Sequence, residues 1–155
     1  MADRLKRGVR SLRDSLGKVL PTLASRITCA LLAVVSACLC FIPGFNVLNY
    51  YSGLAIAIVG GLSVGLSNAG QPTGSDGDSL GRIVATRLVQ ATFLAAVPLS
   101  ILLLNALRVT NCDLWAGVTF FAVGPLATIL IASQWGLAAR LLGRTGRRSI
   151  LYFLL

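Results

Sequence analysis

Residues 52–68 read SGLAIAIVGGLSVGLSN. The stretch is uncharged and about as long as a membrane-crossing helix requires, roughly 17–25 residues. It is also the least hydrophobic of four such stretches, the others running approximately over 27–43, 83–107 and 114–139. Whether it crosses decides the fold, because the placement of charge depends on it. If all four runs cross, thirteen of the fourteen Lys and Arg lie on one side and Arg108 alone on the other. If 52–68 stays on the surface, the basic stretches part to opposite sides. Cationic loops stay cytoplasmic, so the bias requires the weak run to cross and puts the N-terminus in the cytoplasm.

Composition leads to the same solvent. The chain has 155 residues, 55% of them hydrophobic and 12% charged, with a mean hydropathy of +0.81. A soluble domain is about 25% charged, and a water-facing surface cannot be built from what remains. The net charge is +9, which alone suggests nucleic acid. The cations flank apolar runs, however, so anionic lipid head groups are their expected partners and nucleic acid is not.

The expected fold class is therefore an all-α integral membrane domain. Four transmembrane helices over 27–139 follow an amphipathic basic helix over 1–20. In that helix Leu5, Val9, Leu12, Leu16 and Val19 recur at helical spacing, with Arg4, Lys6, Arg7, Arg10, Arg13 and Lys18 on the remaining surface. This is the pattern of a helix lying among head groups. Residues 140–155 form a basic segment in which Arg140, Arg144, Arg147 and Arg148 make further head-group contacts. The apolar ILYFLL that follows, 150–155, reads as the opening of a fifth span and the chain as the N-terminal part of a longer polypeptide. A bacterial inner membrane is the expected location.

Within 52–68 and its flank, Gly53, Ala57, Gly61, Gly65 and Ala69 repeat at a spacing of four, which lines one helix face. In lipid such a face lets two backbones approach closely, so a packing seam is expected, with its partner in the same or another chain. Pro98 and Gly124-Pro125 fall near the middle of the third and fourth runs and predict kinks. Arg87 and Gln90 lie early in the third run. Arg87 is expected to snorkel to the head groups, and Gln90 to bond Gln134 across helices. Arg108, Cys112 and Asp113 are the outer charged cluster, with Thr110 and Asp113 spaced like a helix cap.

Catalytic templates fail. The chain has no His and no Glu, which excludes His-based triads and HExxH zinc sites. There is no phosphate-cradling glycine motif, and Asp76-Gly-Asp78 lacks the further acids of a calcium loop. Cys29, Cys38, Cys40 and Cys112 form no metal-binding spacing. No cofactor is expected. The functional readings are a membrane module with an anchoring, scaffolding or assembly role, a transporter or channel subunit, and the membrane portion of an enzyme whose catalytic domain lies downstream.

Overall fold

The computed structural model describes residues 22–42, 44–45, 49–71, 79–108, 114–143 and 146–154. The basic stretch with Arg4, Lys6, Arg7, Arg10, Arg13 and Lys18 lies outside them, as do residues 72–78, Cys112, Asp113, Arg144 and the Arg147 side chain. The described residues are helical: α1 Leu23–Leu39, α2 Tyr50–Gly70, α3 Leu80–Ala106, α4 Leu114–Phe121, a π-helical turn Ala122–Leu126, α5 Ala127–Gly143 and α6 Gly146–Leu154. Three rods are long and apolar enough to cross a membrane: α2, α3 and the continuous Leu114–Gly143. α1 is apolar but has only 17 residues.

Local chemistry moves the boundaries from those expected. α1 begins one turn before Ile27 because the Thr22 hydroxyl caps it, accepting from the Ser25 amide at 3.2 Å. It stops short of Pro43, which disfavours helix in the residue before it. α2 starts at Tyr50 through a reciprocal cap: the Asn49 side chain accepts from the Ser52 amide and the Asn49 amide donates to Ser52 Oγ, each at 3.1 Å. Tyr50 and Tyr51 thus form the start of the helix. At Ala122–Leu126 the helix takes a π-helical turn around Pro125, a common accommodation of a missing amide donor.

The core has two layers, and together they fix helix direction. One holds Leu32 of α1, Val64 of α2, Ala91, Leu94 and Ala95 of α3, and Ile129 of α5. The other holds Leu39, Ile56, Leu102 and Phe121. Going from the first layer to the second, α1 and α3 ascend in number while α2 and the α4–α5 rod descend. The four elements therefore alternate in direction. The starts of α1 and α3 and the ends of α2 and α5 share one end of the bundle, where Arg26, Arg82, Arg87 and Arg140 lie. Arg108 lies at the other end and is exposed.

Polarity is inverted relative to a soluble bundle. Ser25, Ser36, Ser52 and Ser133 are fully enclosed, while Ile27, Val34, Ile58, Val89, Leu104, Val123 and Ile131 are exposed. Some interior hydroxyls are satisfied within their own helix, as in Ser36 Oγ donating to the Leu32 carbonyl at 2.7 Å.

Candidate functional site

α2 packs more extensively against α5 than against any other element. Gly53, Ala57, Gly61, Gly65 and Ala69 are all buried, and the neighbours of the three glycines lie in the α4–α5 rod and α6. A Cβ added at Gly53 would lie 3.2 Å from the Phe120 ring, and one at Gly61 would lie 3.2 Å from Thr128 Cγ2. One added at Gly65 would be 3.1 Å from the Ala132 carbonyl and would run into the Phe153 ring of α6. From the other side, a Cβ on Gly136 would collide with the Gly65 carbonyl oxygen. The contacts rise in number along both helices, so α2 and α5 run parallel and their backbones meet where both lack side chains.

Just beyond this closest approach, at the cationic end, the interior becomes polar. Asn68 Nδ2 donates to Ser133 Oγ at 2.7 Å and to the Ser133 carbonyl at 3.3 Å. Ser133 Oγ points its own hydrogen at the Arg87 carbonyl, 3.5 Å away. Arg87 Nη1 donates to Asn68 Oδ1 at 3.3 Å, to Gln90 Oε1 at 3.4 Å and to Gln71 Oε1. Gln71 turns its amino group away, onto Ser67 Oγ at 2.7 Å. The cation thus orients three amide carbonyls toward itself, and Asn68 and Gln71 pass their donors outward. Asn68, Gln71, Gln90 and Ser133 are all buried. Arg87 is therefore held within the bundle, tying α2, α3 and α5 together, in place of the expected reach along α3 to head groups.

The expected Gln90–Gln134 bond is not among those formed. Gln90 Oε1 accepts from Arg87, and Gln134 Nε2 is buried without a hydrogen-bond partner. The stronger donor won the acceptor, as charge-assisted bonds do. Asn68, Gln71 and Ser133 were not legible as site residues. Asn68 and Gln71 sit where α2 gives way to loop, and Ser133 is one of many small residues in a long apolar run. Nothing in this cluster is a nucleophile with a neighbouring base, so its chemistry is that of holding and binding.

The far end is aromatic. Tyr50 meets Phe120 with ring centroids 5.3 Å apart and Tyr51 at 5.7 Å, and Phe45 stands 6.1 Å from Tyr51. Trp115, in the first turn of α4, is 79% exposed. Pro98 and Pro125 are fully buried. A cavity of about 140 Å³ lies between their helices, lined by Ala95, Leu99, Val118, Phe121, Ala122 and Leu126 among others. Among the described residues, no three His, Cys, Asp or Glu gather as a metal site would require. Comparison with protein-family models, curated proteins and solved structures returns no match.

Proposed function

We propose that the chain is a four-span membrane module with its N-terminus in the cytoplasm, acting as an anchoring or assembly platform in a bacterial inner membrane. The observation that carries this reading is the inverted polarity: hydroxyls and amides are enclosed while large aliphatic side chains cover the outside. That arrangement is favourable only where the surroundings are apolar. α1 supports a fourth crossing, since it passes through both core layers beside the three longer rods. At roughly 1.5 Å per residue it spans a little less than the hydrocarbon core, and tilt or local thinning accommodates such a mismatch. Orientation rests on the cations at the Arg87 end and on the aromatic ring cluster at the Arg108 end.

The topology is tested in a variant retaining Cys112 alone. Membrane-impermeant maleimide is expected to label it from the outer face of intact cells; labelling from the cytoplasmic face only would refute the four-span arrangement.

A transport role is the second reading, favoured by the two buried prolines and π-turn flanking the cavity at Ala95 and Ala122. Interrupted helices serve substrate sites in transporters. A single cysteine at Ala122 discriminates between the two: reaction with a water-borne maleimide supports transport, and inertness supports the closed platform.

A further inference from the structure

We infer that the cationic end of the bundle carries a phosphate-binding site whose primary contact is Arg140. Two donors in this region have no acceptor: Arg140 Nη1 and Gln134 Nε2 are both buried and without a hydrogen-bond partner. A buried donor left unmade costs about 1–3 kcal/mol, more for a charged group. Gln134 lies in the middle of α5 and Arg140 in its last turn, and neither finds an acceptor among the described residues.

Arg140 follows Ser133 by seven residues and Gly136 by four, so it continues the face that those residues turn toward α2. It stands below the Asn68–Ser133–Arg87 cluster on the same stripe. The described side chains at this end carry charge of one sign. Arg26, Arg82, Arg87, Arg140 and Arg148 are here, and no carboxylate occurs among the described residues. α3 also begins here, with Ser79 making no side-chain cap, so its first amides add positive potential. A guanidinium matches phosphate oxygens two at a time, and Gln134 supplies a neutral donor. Both side chains are flexible enough to turn toward an arriving group. The shared chemistry is a phosphate oxyanion, either the phosphodiester of an anionic lipid or free phosphate.

This inference rests on the membrane reading, which detergent-dependent extraction tests separately. The full chain is placed in phosphatidylcholine nanodiscs with or without phosphatidylglycerol, and retained lipid is measured by native mass spectrometry. The wild type is expected to retain phosphatidylglycerol selectively. R140Q is expected to lower that retention about tenfold, the loss of one charge-assisted contact, with R140K intermediate. R108Q, at an exposed position on the opposite end of the bundle, is expected to change nothing. Q134E, which adds a negative charge and preserves shape, is expected to weaken retention and decides the matter if R140Q fails to fold. Thermal stabilisation by inorganic phosphate in pure phosphatidylcholine, lost in R140Q, would support the same site with free phosphate as its ligand. Equal lipid retention and equal phosphate response in wild type, R140Q and Q134E would overturn it.

Discussion

Gly136 is a position in the seam where one added carbon would meet backbone. Its Cβ would meet the Gly65 carbonyl oxygen and lie 3.2 Å from Asn68 Cβ, and a backbone atom cannot swing aside as a side chain can. Gly136→Ala is therefore expected to destabilise the protein by about 1–3 kcal/mol, the usual range for overpacking, as read from unfolding in mixed micelles. At Gly61 the nearest atom is the Thr128 methyl at 3.2 Å, which yields by rotation, so Gly61→Ala is expected to cost clearly less. Equal effects at the two positions would refute the backbone contact. Asn68 is the other decisive residue, since it accepts from Arg87 and donates to Ser133. Asn68→Leu removes both links, and at about 0.6 kcal/mol for an average interhelical bond in a membrane the bonds alone account for roughly 1 kcal/mol. A larger loss is expected because Arg87 keeps its charge in a less polar pocket. A loss no greater than that of Ser133→Ala would show that Arg87 does not depend on Asn68.

At the scale of elements, caps and contacts set what each helix does. The Asn49–Ser52 box starts α2 before the apolar run begins. Asn49→Ala is expected to lower stability by about 1 kcal/mol, with faster amide exchange confined to the first turn of α2. Exchange spread evenly over the bundle would contradict a local cap. α6 folds back beside α5, with Ser149 against Gly143 and Phe153 against Gly65. Its Phe153 reaches the level of Ala132, so it runs antiparallel to α5. Phe153→Ala is expected to loosen α6 selectively, seen as increased exchange over 146–154 with α2 and α5 unchanged. The residue spacing in ILYFLL showed that this segment is apolar, but not that its aromatic ring would seat on a glycine of α2.

At the scale of the whole molecule, the apolar exterior predicts that carbonate and high-salt washes leave the protein in the membrane and that detergent releases it. Release by salt alone would refute an integral module. Much of this architecture was legible beforehand. Long runs poor in charge allow few structures other than helices in lipid, because every backbone amide must find its partner within the segment. A spacing of four in Gly53, Ala57, Gly61, Gly65 and Ala69 made a close face readable for a similar reason, since helix periodicity is local. What that face meets was not readable, for Gly136 and Ala132 lie far along the chain and only the parallel pairing of α2 with α5 brings them there. Arg87 shows the limit most plainly. From its position in α3 alone, solvation by head groups was the expected outcome. The fold instead presents carbonyls from Asn68, Gln71 and Gln90, and a cation takes the polar partners that its three-dimensional surroundings supply. The sequence by itself determined the helices and their charge asymmetry, which depend on near neighbours and solvent. The tertiary structure alone decided the seam's partner and the partners of Arg87, which depend on residues distant in the chain.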